Sequence, residues 1–171
     1  HKKIEDESLY AGLNLQLYLY ANAFLSKDTK LGGAYYYRVE DGYSGSQDEK
    51  LTFIGKTLFD EQNVIAMDSR LETEMKNTSL NVSFKGKDEG RYLYKNKSMV
   101  TSDQLEAYLT YAKKIAQVGV SELIEGFIEP TPYEDSCKYC KYKGMCGHDE
   151  EVDGKVRKVN AYYEVIEKAV K

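Results

Sequence analysis

Three cysteines, Cys137, Cys140 and Cys146, stand in C-x2-C-x5-C spacing inside "CKYCKYKGMCGHD" (137–149), and the chain has no others. A C-x2-C pair can bring two sulfurs to one centre, and Gly144 lets the chain curl back with the third. Thiolates clustered in this way are metal donors, and the set admits two readings. In one, His148 completes a Cys3His zinc site, although one residue between Cys146 and His148 is shorter than the usual spacing to a ligand histidine. In the other, the three thiolates hold an iron–sulfur cluster whose fourth cysteine lies elsewhere. Free thiols in a surface loop are the plainer alternative. Spacing alone leaves zinc and cluster level.

The same loop interleaves Lys138, Lys141 and Lys143 with Tyr139 and Tyr142, and Lys155, Arg157 and Lys158 follow. Cations beside aromatic faces suit a single nucleic-acid strand, whose phosphates are held by charge and whose bases stack. The competing reading is a solvated basic stretch that balances thiolate charge. A third constellation lies near the start, where Gln16 precedes Tyr20 by four residues in "GLNLQLYLY" and shares its helix face. A glutamine in so apolar a helix must be hydrogen-bonded. It either satisfies a neighbouring backbone group or, with the phenol, orients groups at an active site.

The elements that position these residues follow from periodicity. "SLYAGLNLQLYLYANAFL" (8–25) repeats Leu9, Leu13, Leu17, Tyr20 and Phe24 with Leu15 and Leu19 beside them, which predicts one helix buried on most sides. "LGGAYYYRV" (31–39) and "LTFIGKTLF" (51–59) read as strands on either side of a 42–50 loop, and 61–75 as partly helical. Over 79–96 Leu80, Val82 and Phe84 alternate, "KDEG" turns, and Tyr92 and Tyr94 alternate back, as in a hairpin. Thr101 and Gln104 form a capping box for a helix with Leu105, Tyr108, Leu109, Ala112, Ile115 and Ala116 on one face, broken at Gly119 before a short helix at 121–126. "EPTPYEDS" is an extended arm, and 156–170 an amphipathic terminal helix.

Composition sets the bounds. The 171 residues suffice for one domain with a real core; 42% are hydrophobic and 30% charged, an ordinary globular balance. Tyr is in excess, 16 against 5 Phe and no Trp, which supplies half-polar side chains for core edges and contact surfaces. A net charge of −4 excludes a generic polyanion binder, so contact with nucleic acid must come from a local patch. No apolar run reaches bilayer length, no signal-peptide pattern is present, and cysteines confined to one metal-like loop point to a reducing, cytoplasmic setting with no membrane partner. The chain opens on His1 rather than Met, so we expect a piece of a longer polypeptide. The fold class expected is α/β, in the mixed α+β sense.

Taken in order, "YAGLNLQLYLY", "LGGAYYYRV", "TSDQLEAYLTYAKKIAQVGVSELIEGFIEPTPY" and "CKYCKYKGMC" resemble the C-terminal nuclease domain of the AddB family, the B subunits of bacterial AddAB helicase–nucleases. The resemblance covers most of the chain. Its specific parts are the Q-x-x-x-Y helix and the cysteine loop after a Pro-Tyr arm. It implies a partial restriction-endonuclease-like PD-(D/E)xK core over 1–130, then the cysteine loop and terminal helix over 131–171. It further implies Mg²⁺-dependent cutting of one DNA strand at double-strand ends, and an A subunit as heterodimer partner. Through it, Cys137, Cys140 and Cys146 match three ligands of a [4Fe–4S] cluster whose fourth cysteine lies far upstream, which tips the balance from zinc. Gln16 and Tyr20 match the motif helix beside the catalytic strands. Closing so long a loop with a cluster is worth about 5 kcal/mol in the chain-entropy model. Without the fourth thiolate we expect the 137–148 loop either to be mobile or to hold an adventitious zinc through His148.

The family's catalytic Asp and D/E-x-K precede the motif helix, whereas here only "HKKIEDES" does. Glu5, Asp6 and Glu7 lie on no apolar strand, and no lysine stands two residues after any of them. Glu74-Met75-Lys76 with Asp68 upstream follows the motif helix instead, and is set aside as coincidence. This chain alone is therefore expected to be inactive. The readings from other classes are a zinc-stabilised nucleic-acid-binding module without catalysis and a Cas4-like exonuclease fragment.

Overall fold

The first helix expected from the sequence is two helices. Gly12 and Asn14 both take left-handed backbone conformations, with φ of 79° and 55°, and this turn separates α1 (Asp6–Tyr10) from α2 (Gln16–Phe24). The computed structural model describes residues 6–26, 29–37, 53–86, 90–133, 135–153 and 163–170. Expectations for Glu5, the 42–50 loop, the hairpin tip at 87–89, and Lys155, Arg157 and Lys158 lie outside these residues. After α2 come β1 (Gly33–Tyr37), β2 (Phe53–Leu58), α3 (Glu61–Met67) and a 3-10 turn at Ser69–Glu72. Four short strands follow, β3 (Lys76–Asn77), β4 (Val82–Lys85), β5 (Tyr92–Leu93) and β6 (Met99–Val100). Then come α4 (Ser102–Ile124), a 3-10 turn at Ser136–Tyr139, α5 (Lys143–Cys146), α6 (Glu150–Asp153) and α7 (Tyr163–Val170).

Two small sheets result. β2 lies between β1, antiparallel from Gly33 opposite Thr57 to Tyr37 opposite Phe53, and β6, which runs parallel to it with Val100 opposite Leu58. The second sheet orders β3-β4-β5, all antiparallel. Because successive strand residues face opposite ways, β6 serves two cores. Val100 joins Leu9, Tyr18, Leu105, Tyr108, Leu109, Ala112 and Ile166 in a helical core, while Met99 joins Val64, Leu71, Leu80, Val82, Phe84 and Leu93 under the small sheet. Helix α7 packs on α4 through Ile166, so the terminal helix belongs with the helical core rather than with the cysteine loop.

Several local expectations need correction. Helix α2 buries one side only: Tyr18 is 1% exposed, whereas Tyr20 and Phe24 on the opposite face are 59% and 86% exposed. In the hairpin the inward residue of β5 is Leu93, which sits directly opposite buried Phe84, and Tyr92 and Tyr94 face out. Helix α4 runs through Gly119, where a Cβ would meet no atom, so only the ~1 kcal/mol propensity cost applies and the turn survives. The helix ends at Gly126 (φ 76°), where Gly126 N–H donates to the Leu123 carbonyl and Phe127 N–H to that of Glu122, a Schellman stop. Its start is as expected: Thr101 Oγ1 accepts from Gln104 N–H, and the Gln104 side chain accepts from Thr101 N–H. Among the described residues, no helix is long and apolar enough to cross a membrane.

Candidate functional site

The Gln16 amide donates to the Tyr20 hydroxyl at 2.9 Å across one turn of α2. Both side chains are exposed, so the glutamine's hydrogen bond is made to its motif partner on an open face and not to buried backbone. Position 18, on the other side, anchors that face: the Tyr18 ring tilts against Tyr108 of α4 at 5.7 Å. Asn22 locks the pair of helices by donating to the Tyr18 and Leu109 carbonyls at 3.0 and 2.9 Å. Sequence reading missed Asn22, whose place one turn after Tyr18 was the available signal. It also missed Lys56, 7% exposed, whose ammonium lies 5.6 Å from the Tyr108 ring centre. The signal there was a lysine at an inward position of an alternating strand.

The cysteine loop is built from single turns. Cys140 N–H donates to the Cys137 carbonyl at 3.3 Å, and Cys146 N–H to that of Tyr142 at 2.9 Å. The reversal expected at Gly144 occurs at Gly147, whose φ of 68° ends α5; Gly144 lies inside that helix. Cys137 is half-buried, and Cys140 and Cys146 are exposed. Lys138, Lys141 and Lys143 are exposed, as are Tyr139 and Tyr142 at 85% and 69%, with the Lys138 ammonium 5.6 Å from the Tyr139 ring centre. Among the described residues no three His, Cys, Asp or Glu side chains come together to share one ion. The donor chemistry nonetheless suits a [4Fe–4S] cluster, which takes soft thiolates one to each iron corner rather than all on a single ion.

Immediately after the loop, His148 turns inward with its side chain only 5% exposed. Its Nδ1 lies 3.2 Å from an Asp153 carboxylate oxygen, and its buried Nε2 has no hydrogen-bond partner. It lines a cleft of about 320 Å³ with Glu129, Pro130, Cys146, Gly147 and Asp153.

Of the acidic positions set aside in the sequence, Asp68 is tied up elsewhere. Asp68 accepts from Arg70 N–H, Nε and Nη2 and from Asn77 Nδ2, so both carboxylate oxygens are engaged. The Arg70 and Asn77 hydrogen bonds hold its carboxyl down at about 2, and the same pairing raises the guanidinium of Arg70. Glu74 is exposed just before the small sheet, and Lys76 is exposed on its first strand, β3. A carboxylate already saturated by an arginine and an amide does not fit a Mg²⁺ site. Tyr35 donates to Thr57 Oγ1 at 2.8 Å, and burial pushes its phenol upward.

Helix α2, with its hydrogen-bonded Gln–Tyr pair, packs beside an antiparallel strand pair with a parallel third strand in a mixed α/β arrangement. Residues 1–147 match the profile of the PD-(D/E)XK nuclease superfamily, and the chain belongs to that superfamily. It is similar to the B subunit of the ATP-dependent helicase/deoxyribonuclease of Thermoanaerobacter sp. (strain X514), with 26% identity over 90% of this chain and 15% of the relative. Against the corresponding B subunit of Clostridium kluyveri (strain NBRC 12016) the identity is 25% over 85% of this chain and 14% of the relative. For that of Clostridium perfringens (strain SM101 / Type A) it is 25% over 92% and 15%. The chain thus spans about 15% of the length of the curated relatives it matches.

Proposed function

We propose that this chain is part of the nuclease domain of a B subunit of an ATP-dependent helicase–deoxyribonuclease. In this reading it works with an A subunit in a cytoplasmic heterodimer that processes DNA double-strand ends for recombinational repair. The observation that carries the proposal is the superfamily match over residues 1–147, which takes in both the Gln16–Tyr20 pair and the cysteine loop. Phosphodiester hydrolysis needs carboxylates to hold Mg²⁺ and groups to neutralise charge on the scissile phosphate. Gln16 and Tyr20 bear no such charge, so they support rather than perform the reaction, holding each other's orientation on the open face of α2. Lys138, Lys141 and Lys143 hold strand phosphates, and Tyr139 and Tyr142 offer stacking surfaces.

Cys137, Cys140 and Cys146 would hold the [4Fe–4S] cluster, which when bound supplies a fixed node between this loop and a fourth thiolate. A second reading rests on His148. A ligand histidine usually presents its second nitrogen to a carboxylate, as Nδ1 does to Asp153, and leaves the first for the metal. Zinc on Cys137, Cys140, Cys146 and His148 would then stabilise a binding module without catalysis. Metal analysis separates the two: iron with inorganic sulfide, retained in His148→Ala, supports the cluster, whereas one zinc per chain lost in His148→Ala supports the module.

The functional test uses the full-length subunit with its partner on linear duplex DNA, ATP and Mg²⁺. Degradation that falls at least tenfold in Tyr20→Phe, with ATP hydrolysis unchanged, supports the proposal. A full-length subunit that neither binds nor cuts DNA overturns it. The 171-residue chain by itself should not nick DNA, and robust Mg²⁺-dependent nicking that copurifies with it would refute that part.

A further inference from the structure

On the face of the β1-β2-β6 sheet away from α2 and α4 lies a cleft of about 550 Å³, within the range of ligand pockets. One wall is aromatic. The Tyr37 and Phe53 rings tilt against each other at 5.3 Å, Tyr35 meets Phe53 edge-on at 5.8 Å, and Tyr37 remains 46% exposed at the mouth. Met67 and Arg70 line the cleft with them, and Asn77 and Ser79 contribute polar groups. Arg70 uses Nε and Nη2 on the Asp68 carboxylate, both at 2.9 Å, yet its side chain is 69% exposed. One edge of the guanidinium is therefore clamped, and the other presents N–H donors held in a fixed plane.

We propose that this cleft receives one unpaired base of a DNA strand. The base stacks on the Tyr37–Phe53 wall, and the free edge of Arg70 donates to acceptor atoms of the same nucleotide. The inference rests on the nuclease-subunit reading for its ligand and adds a second contact to the strand, separated from the Gln16–Tyr20 pair by the thickness of the sheet. Charge distinguishes it from the lysine loop. Asp68 neutralises Arg70, so few counterions are released and base capture depends weakly on salt, whereas contact through Lys138, Lys141 and Lys143 falls steeply as salt rises.

The test is titration of a short single-stranded oligonucleotide carrying 2-aminopurine with the 171-residue chain at low and high salt. The fluorescence of that base is quenched when it stacks. Quenching that persists at high salt, weakens about tenfold or more in Tyr37→Ala and is restored in Tyr37→Phe supports the pocket. Tyr37 is exposed at a strand end, and circular dichroism of each variant serves as the control for folding. Quenching undiminished in both Tyr37→Ala and Arg70→Gln overturns the pocket. Anisotropy that reports oligonucleotide bound without quenching overturns the pocket and leaves the nuclease-subunit reading standing. No binding by either signal overturns the pocket, and the cleavage assay on the full-length subunit then decides the nuclease-subunit reading separately.

Discussion

The two-core body and the cysteine loop are held by different physics. From α1 to α4, and again in α7, apolar side chains close on one another: Tyr18, Leu71, Tyr108 and Ile166 are each at most 1% exposed. Between Asp135 and Cys146 no described residue is buried, and single-turn hydrogen bonds carry the backbone. The body is stable through burial, while the loop has local geometry and a surplus of donors. A segment of that kind gains definition from what it binds, which is why its three thiols and its lysines carry the proposals made for it.

The largest test of this contrast is Tyr108→Ala. Removing a ring that touches Tyr18 and supports the inner face of β2 should cost about 3–5 kcal/mol, read as a fall in the urea midpoint at unchanged m. Much smaller and of opposite sign is Gly119→Ala, at an α4 position where a Cβ meets nothing. It should stabilise by about 0.5–1 kcal/mol, and a loss of stability would show that the helix does not run through this residue.

Smaller again is the acid response of the Asp68–Arg70–Asn77 group. Its folded-state carboxyl is lowered to about 2, below the roughly 3.9 of a free aspartate. The group's contribution is therefore present above about pH 4 and lost as pH falls towards 2. In Asp68→Asn the stability profile should flatten across that window, which thermal melts at stepped pH would read. The smallest effect is expected from changing Cys137, Cys140 and Cys146 together to Ser in metal-free protein. The urea midpoint should not move, and a cooperative loss of several kcal/mol would show the loop to be part of the body after all.

Much of the body was legible because its signals are local and redundant. The Thr101–Gln104 box, the alternation in "FIGKTL" and the periodic face of α4 each needed only neighbours in sequence. The break at Gly12–Asn14 was not legible, since leucines at helical spacing continue through it and only the left-handed backbone at two residues reveals the turn. Leu93 was misjudged for a related reason. Alternation in "RYLYKN" fits either face, and the pairing with Phe84 decides which one turns inward. At the candidate site, residue types and spacing identified the thiols and the Gln–Tyr pair, but exposure follows from packing, and Asn22, Lys56 and the Arg70 clamp depend on partners distant in sequence or in an unexpected turn.

Sequence alone settled the chemical inventory: three soft donors in one loop, an amide and a phenol one turn apart, and apolar faces enough for a core. Spacing along a chain is a covalent property and can be read without folding it. Which face of α2 is open, which side of β6 serves which core, and where Tyr35, Tyr37, Phe53 and Arg70 meet were decided only in three dimensions. Those outcomes depend on competition among many burial contacts, and each contact takes its meaning from the element that arrives opposite it.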